Sequence, residues 1–265
     1  MGIKTFLENR LKRWPLLYRA AARIYFALIP VHLAELAFGT RAREREWARR
    51  HLRQENDWYN TQCHGDDDWI MGYWDSHNHS HRQLIVDKIT AYQPFDNILE
   101  IGCNCGPNLH LIAKTFPEVE AQGIDVNTRA IQKGNELFAL ENISNVKLSA
   151  GKANRLEHFP DKSFDIILTD AVLIYIGPDQ ISQVIKEMLR IARKVLILVE
   201  RHRFKPDRKD PHGLGVYYRG LWLRDYAAIF EQLVPANNIQ VTKITEEVWP
   251  EWKDEGAVIE VTLPQ

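Results

Sequence analysis

The chain has 265 residues, of which 45% are hydrophobic, and its formal net charge at pH 7 is −1. This length suits one domain with an appended segment or two small domains, and the hydrophobic content is that of an ordinary globular core. A chain so close to neutral has no overall field that attracts nucleic acid, so we expect no nucleic-acid partner. Only three cysteines occur, and two of them flank Asn104. We therefore expect no disulfide framework and a cytoplasmic setting.

The first 60 residues predict amphipathic helices. Residues 1–55 contain twelve Lys or Arg against five Asp or Glu. On a helical wheel Leu17, Ala21, Ile24 and Leu28 share one side. The longest charge-free run, residues 24–34, is too short to span a bilayer. Two interpretations stay open: residues 1–80 are a helical cap on the following domain, or residues 6–28 lie on an anionic membrane at its inner face.

From residue 81 onward the sequence predicts an α/β domain that reaches residue 265. Five strands that alternate with helices indicate a parallel sheet with both faces covered, and the last two strands form an antiparallel hairpin at one edge. The fold class is therefore a three-layer α/β sandwich with a seven-stranded, mostly parallel sheet. The predicted strands are 97–101, 121–125, 146–148, 164–169, 195–200, 239–245 and 257–263, and the helices are 109–116, 129–140, 180–192 and 222–233.

The most informative segment is the turn that follows the first strand, Ile98 to Asn108. A buried strand that turns sharply into a helix offers free backbone N–H groups to a ligand. A dinucleotide-binding turn would need glycine at Asn104 and a small residue at Pro107. A phosphate-binding loop would need a Gly-Lys-Ser/Thr sequence, which is absent here.

Glu100, Gly102 and Gly106 have the spacing E-x-G-x-x-x-G, which resembles motif I of class I S-adenosylmethionine-dependent methyltransferases. That family usually carries a third glycine where this chain has Asn104. The segment from Ser163 to Ala171 resembles motif IV of the same family. The resemblance implies a Rossmann-like domain over about residues 82–265, S-adenosylmethionine as the cofactor, and a methyltransferase activity.

The resemblance also assigns roles to residues near the strand ends. Glu100 would accept hydrogen bonds from the methionine amino group, and Asp125 from the two ribose hydroxyls. Val126 would contact the adenine edge. Lys152 stands where the family usually has an acidic residue, so the Ala153 backbone would recognise adenine. The predicted cofactor-binding residues are Glu100, Gly102, Asn104, Gly106, Asp125, Val126, Lys152, Ala153 and Asp170.

An oxygen acceptor must lose its proton, which requires a general base near the strand ends. Three candidates follow strands four and five, namely Asp170, Glu200 and His202. Histidine titrates closest to neutral pH, which favours His202.

The acceptor is expected to lie against two further segments. The long connection 201–220 contains six Lys or Arg and three glycines, which suits a mobile lid over an anionic acceptor. Ser80 and Gln83 predict a capping box at the start of a helix, and this helix entrance is expected to border the pocket. We expect no metal ion at the alternating histidines His77, His79 and His81. The predicted acceptor contacts are Tyr175, Arg208, Lys209, Tyr217, Trp74 and His81.

The sequence thus favours O-methylation of a sugar, a glycolipid or another anionic small molecule. A further resemblance, to methyltransferases of surface-polysaccharide biosynthesis, points to the same class of acceptor. Two alternatives stay open: methylation of a membrane lipid headgroup or quinone, and a cofactor-binding adaptor without catalysis. The oligomeric state is left open as well.

Overall fold

A computed structural model describes residues 68–205, 208, 210–218 and 221–264. The predicted amphipathic helices before residue 68, with their cap and membrane interpretations, lie outside the described residues. The domain boundary at residue 80 stays a prediction. Within the described part of the chain, no helix combines the length and apolar character needed to cross a bilayer.

The centre of the fold is a seven-stranded sheet in the order β3-β2-β1-β4-β5-β9-β8. Strands β1 to β5 are parallel, and β9 runs antiparallel to both β5 and β8. The predicted fold class is therefore confirmed, including the antiparallel hairpin at one edge. The strands are β1 (Asn97–Ile101), β2 (Glu120–Asp125), β3 (Val146–Ala150), β4 (Phe164–Asp170), β5 (Ala192–Arg201), β8 (Ile239–Lys243) and β9 (Gly256–Thr262).

Helices cover both faces of the sheet. Because side chains alternate along a strand, Ile98, Ile166 and Ile197 face one apolar cluster, whereas Leu99 and Ile167 face another. The first cluster includes residues of α1 to α4, and the second those of α5 and α6. The helices are α1 (Asp68–Asp75), α2 (Ser80–Thr90), α3 (Pro107–Thr115), α4 (Thr128–Leu140), α5 (Ile181–Ile191) and α6 (Tyr226–Phe230).

The connection after β5 differs from the prediction. Instead of one helix over residues 222–233, the chain forms β6 (Val216–Tyr218) and β7 (Leu221–Leu223), which pair antiparallel, and then the short helix α6. Asp225 caps α6 by accepting a hydrogen bond from the Ala228 backbone N–H. This cap fixes the start of the helix four residues later than the apolar periodicity suggests.

The predicted capping box of α2 is also wrong. His79 is the residue that caps this helix, and its ring accepts a hydrogen bond from the His81 backbone N–H. Ser80 instead donates its hydroxyl proton to the Val248 carbonyl, 168 residues away in the chain. A tertiary contact therefore overrides the local preference of the serine.

Gly134 provides a test of how closely α4 must approach the turn after β1. A Cβ atom at this position would lie 2.4 Å from the Cys105 carbonyl oxygen, whereas a Cβ at Gly72 in α1 would meet nothing within 4 Å. We expect Gly134→Ala to cost on the order of 1–3 kcal/mol of unfolding free energy through overpacking. Gly72→Ala is the matched control, and it should be neutral or stabilise by up to about 1 kcal/mol. Urea unfolding checks both values, and equal effects at the two glycines would contradict this account.

Candidate functional site

The turn between β1 and α3 depends on three residues with positive φ. Gly102 has φ 79°, Asn104 φ 52° and Gly106 φ 88°. Asparagine tolerates the left-handed region better than most residues do, which explains how Asn104 replaces a third glycine. The substitution also supplies a local hydrogen bond, because the Asn104 side chain accepts from the Cys105 backbone N–H at 2.7 Å.

The two glycines of this turn are required by packing within the protein. A Cβ at Gly102 would lie 2.2 Å from a methyl group of Val172, and one at Gly106 would lie 2.8 Å from the Phe138 ring. The turn is thus held between α4 and the segment that follows β4. This close packing fixes the direction of the free backbone groups at the start of α3.

Asp125 lies at the end of β2 and fixes two neighbouring loops. Its carboxylate accepts hydrogen bonds from the backbone N–H groups of Asn104 and Asn127, each at 2.8 Å. Burial raises the pKa of Asp125, and these backbone bonds oppose that rise. A carboxylate can accept more than two hydrogen bonds, so Asp125 retains capacity for a ligand's hydroxyl groups.

The predicted adenine-side residues lie around Asp125. Val126, the next residue, is 53% exposed, which leaves an apolar edge open to a flat ligand. The Gly151 backbone N–H donates to the Asp125 carbonyl at 2.9 Å, which ties the loop after β3 to the same place. Within that loop Lys152 is exposed and Ala153 is partly buried against the apolar core.

Glu100 and Asp170 lie on the same face of adjacent strands, where β1 pairs with β4. Both side chains are buried, and the Asn108 amide bridges them. Its nitrogen donates to Glu100 Oε1 at 2.6 Å and to Asp170 Oδ2 at 3.1 Å. Asn108 belongs to α3, so one amide joins the two strand ends to the helix that follows the turn.

Asp170 is also held by the start of α2. His81 Nε2 lies 3.1 Å from Asp170 Oδ2, and Arg82 Nη1 donates to the same oxygen at 3.3 Å. Burial by itself would raise the pKa of Asp170, but the hydrogen bonds from His81 and Asn108 and the charge of Arg82 together lower it. Asp170 is therefore ionised at neutral pH.

One oxygen of each carboxyl group has no hydrogen-bond partner among the described residues. These oxygens are Glu100 Oε2 and Asp170 Oδ1, and both are buried. Leaving a buried acceptor unsatisfied costs about 1–3 kcal/mol, so each needs an explanation. Burial raises the pKa of Glu100 to about 8. These two oxygens lie on one face of the sheet and suit a cationic group with several N–H donors, from which Glu100 can accept once it has released its proton.

Arg82 and Asn108 were not among the predicted site residues. Arg82 is 3% exposed and also donates to the Asn108 side-chain oxygen at 2.7 Å. Its other nitrogens bond the Ser76 carbonyl and hydroxyl, and its guanidinium lies 5.4 Å from the Tyr73 ring centre. One local signal could have pointed to Asn108. It is the second residue of α3, the helix that begins at the turn after β1.

Glu200 lies on the opposite face of the sheet from Asp170 and has other partners. Its carboxylate accepts from the Thr169 hydroxyl and from the backbone N–H groups of Val172, Leu173 and Ile174. Burial raises its pKa to about 7. With four donors on one carboxylate, Glu200 holds the segment after β4 in place, and the prediction that it acts as a base gains no support from this geometry.

Arg224 holds the same segment from its other side. This fully buried residue donates to the carbonyl groups of Leu173, Ile176 and Leu214. The positions after β4 are thus fixed through their N–H groups by a carboxylate and through their carbonyls by a guanidinium. Tyr175 sits on this segment with 38% of its surface exposed.

His202, the preferred base, is 5% exposed. Its Nδ1 accepts from the Tyr226 backbone N–H at 3.3 Å, and its ring stacks on Tyr226. Burial lowers its pKa. These contacts place the imidazole against α6, in the connection that follows β5, apart from the network around Asp170.

Among the remaining predicted acceptor contacts, those that the structure describes have different surroundings. Trp74 is buried and packs edge-on against Phe138 and His110, which makes it a core residue. His81 belongs to the Asp170 network, and Arg208 is exposed. Lys209 and the side chain of Tyr217 lie outside the described residues.

The cysteines and histidines form no metal centre in the described part of the chain, where no three metal-ligating side chains converge. Cys103 and Cys105 are free thiols and buried. Burial raises the pKa of each, so both are protonated and pack as small apolar side chains.

Sequence comparison finds similarity to known proteins in the central region of the chain. Residues 98–194 match a family model described as a methyltransferase domain. The chain is 25% identical to an uncharacterized protein of Haemophilus influenzae over 154 residues, which are 57% of this chain and 54% of that protein. It is 28% identical to the human tRNA N(3)-cytidine methyltransferase METTL6 over 98 residues, which are 36% of this chain and 34% of that protein. The chain thus spans about half or less of these relatives.

Solved structures share the fold at low sequence identity. The [4+2]-cyclase SpnF aligns with a TM-score of 0.55 and 17% identity, covering 70% of this chain and 80% of that one. Phosphoethanolamine N-methyltransferase 1 of Haemonchus contortus aligns with a TM-score of 0.52 and 15% identity, covering 75% of this chain and 49% of that one. Because a cyclase and a methyltransferase share this architecture, the side chains at the strand ends must decide the chemistry.

The raised pKa of the Glu100 carboxyl predicts that the stability of the ligand-free protein depends on pH. Its folded pKa of about 8 lies above the unfolded value, so the folded state holds an extra proton between these values. Stability should therefore fall as pH rises from about 5 to 8. We expect Glu100→Gln to remove this loss and to stabilise the protein at pH 8 by on the order of 2–4 kcal/mol.

Urea unfolding of the parent and the variant at pH 5.5 and pH 8 measures this effect. Glu118→Gln is the matched control, because Glu118 is exposed and its substitution should change little at either pH. A stability difference between Glu100→Gln and the parent that is the same at both pH values would show that Glu100 is not held protonated by burial.

Proposed function

We propose that the chain, whose residues 98–194 match a methyltransferase domain, is a class I S-adenosylmethionine-dependent methyltransferase and that it methylates a hydroxyl group of a sugar, a glycolipid or another anionic small molecule. The observation that carries the proposal is the pair of buried, unpartnered oxygens, Glu100 Oε2 and Asp170 Oδ1. They form an acceptor site for an ammonium group at the carboxyl ends of β1 and β4. In open α/β sheets that edge is where ligands bind.

The residues present fit S-adenosylmethionine. Glu100 and Asp170 would hold the amino group of its methionine part, and Asp125 would hold the ribose hydroxyls. Val126 and the loop at Ala153 would enclose the adenine. When bound, the cofactor supplies an activated methyl group on a sulfonium. The chain must hold the acceptor in line with that methyl group and exclude water.

The segment after β4 is suited to positioning an acceptor because it is rigid. Glu200 and Arg224 fix its backbone from two sides, and Tyr175 projects from it with its surface partly exposed. A residue on such a support loses little conformational entropy when it contacts a ligand. We assign Tyr175 to the acceptor side of the site, and Glu200 and Arg224 to positioning it.

The charge distribution after β5 supports an anionic acceptor. Of the basic residues in this connection, Arg201 pairs with Glu255 at 3.5 Å and Arg203 with Asp210 at 2.9 Å. Lys205 and Arg208 are exposed. Lys243 lies 5.7 Å from the ring centre of the exposed Phe204. This cationic and aromatic surface suits a phosphorylated or otherwise acidic acceptor.

Cofactor binding tests the first half of the proposal. We expect Asp125→Asn to weaken the binding of S-adenosylhomocysteine about tenfold or more, because a charge-assisted hydrogen bond is worth about 1.5–3 kcal/mol. Isothermal titration calorimetry measures the affinity. Asp87→Asn, an exposed carboxylate on α2, is the matched control and should leave the affinity unchanged. No binding to the parent protein would overturn the proposed function.

The charge of the methyl acceptor tests the second half of the proposed function, which is that the acceptor is anionic. With radiolabelled S-adenosylmethionine and cell extract, the fractions that accept the methyl group should be retained on an anion-exchange resin. For those fractions, Lys205→Ala with Arg208→Ala should raise the acceptor KM at least tenfold and leave the cofactor affinity unchanged. The control pair is Lys147→Ala with Lys186→Ala, both exposed on other elements. Cofactor binding without transfer to any fraction would favour an adaptor.

A further inference from the structure

The start of α2 brings two imidazoles and a carboxylate into one hydrogen-bonded row. Asp170 Oδ2 lies 3.1 Å from His81 Nε2, and His81 Nδ1 lies 2.5 Å from His79 Nδ1. Asp170 and His81 are buried, whereas His79 is partly exposed. The row therefore runs from a buried anion to a ring that a ligand can reach.

We propose that Asp170, His81 and His79 form a proton relay in which His79 is the general base that accepts the proton of a hydroxyl acceptor. This inference rests on the proposed methyl transfer and deepens it. A hydroxyl must lose its proton as its oxygen forms the new bond to carbon, whereas a neutral amine can attack through its free lone pair. A built proton acceptor therefore favours an oxygen acceptor.

The hydrogen bonds define where each proton sits before reaction. The ionised Asp170 accepts from His81 Nε2–H, so a neutral His81 has its lone pair on Nδ1. His79 must then donate from Nδ1, which leaves its lone pair on Nε2. In this state Nδ1 no longer accepts the helix-capping hydrogen bond from the His81 backbone N–H. Each contact in the row carries one proton, and the free lone pair is on His79, the outer ring of the row.

Proton uptake can be followed atom by atom. The hydroxyl proton binds His79 Nε2, and the proton of His79 Nδ1 moves to His81 Nδ1. His81 becomes a cation beside Asp170, and the acceptor oxygen uses its electron pair to bond the methyl carbon. His79 Nδ1 then accepts from both His81 Nδ1 and the His81 backbone N–H, which lies 3.3 Å away. The loaded state thus has one hydrogen bond more than the resting state.

The surroundings favour a neutral His79, which can accept a proton, and they fix the orientation of the His81 ring. Burial lowers the pKa of His79, and the nearby charge of Arg82 adds to this, while Glu251 and Asp170 oppose it. His79 is therefore neutral at physiological pH. Trp249 stacks on His81 with ring centres 4.1 Å apart, which fixes the plane of the inner imidazole.

Imidazole NMR tests the relay without any acceptor. In the ¹⁵N-labelled protein with S-adenosylhomocysteine, His79 should be the Nδ1–H tautomer and His81 the Nε2–H tautomer. Asp170→Asn should abolish this fixed pair of tautomers, because the carboxylate that accepts from His81 Nε2–H is then gone. His77→Gln is the matched control and should leave both tautomers unchanged, since its Nδ1 lies 2.8 Å from the Trp74 carbonyl outside the row. The opposite tautomer on either ring of the parent protein would overturn the relay.

Kinetics give the second readout. On the acceptor fractions, His79→Gln should lower kcat about a hundredfold or more, since general base catalysis contributes 10²–10⁴-fold. Its affinity for S-adenosylhomocysteine should stay within about twofold of the parent, and His77→Gln should keep the parental kcat. Cofactor binding with full activity in His79→Gln would overturn the relay and leave the proposed function intact. Loss of cofactor binding in the parent would instead refute the proposed function.

Discussion

A single buried carboxylate, Asp170, connects the parts of the protein that form the site. Its Oδ2 atom meets His81 and Arg82 from α2 and Asn108 from α3, while its backbone ends β4. Removing one partner of such a group leaves a buried charge uncompensated, at a cost of about 3–5 kcal/mol. The position of α2 relative to the sheet is therefore coupled to the ionisation of one side chain.

The two oxygens of the Asp170 carboxylate differ in their surroundings. Oδ2 accepts hydrogen bonds within the protein, whereas Oδ1 has no partner among the described residues and is available to a ligand. Glu100 repeats this division, with Oε1 bound to Asn108 and Oε2 unpartnered. The protein thus gives up stability in its ligand-free state to keep two acceptors in a fixed geometry, which is a common trade at binding sites.

The sheet and the turn between β1 and α3 were predictable because the residue pattern within each segment determines its local structure. The strands predicted to end at Ile101, Asp125 and Thr169 end at Ile101, Asp125 and Asp170 in the structure. Asn104 was an irregularity in the motif, and its positive φ shows that it serves where a glycine is usual. The motifs that carried the resemblance thus lie at the turn between β1 and α3 and at the end of β4.

The polar network was less predictable because its partners are far apart in the chain. Arg82 and Asn108 are 26 residues apart, and His81 and Asp170 are 89 apart. Only the pairing of β1 with β4 and the packing of α2 and α3 on one face bring them together. The hairpin of β6 and β7 was missed for a related reason, since its strands have three residues each and carry little periodicity.

Binding of the cofactor depends on Glu100 and Asp170 sharing one ligand ammonium group. A crystal structure of the protein with S-adenosylhomocysteine would show whether they do. We expect the amino nitrogen within about 3.2 Å of both Glu100 Oε2 and Asp170 Oδ1, with the Asn108 bridge unchanged. An amino nitrogen bound elsewhere, with both oxygens still unpartnered, would contradict it.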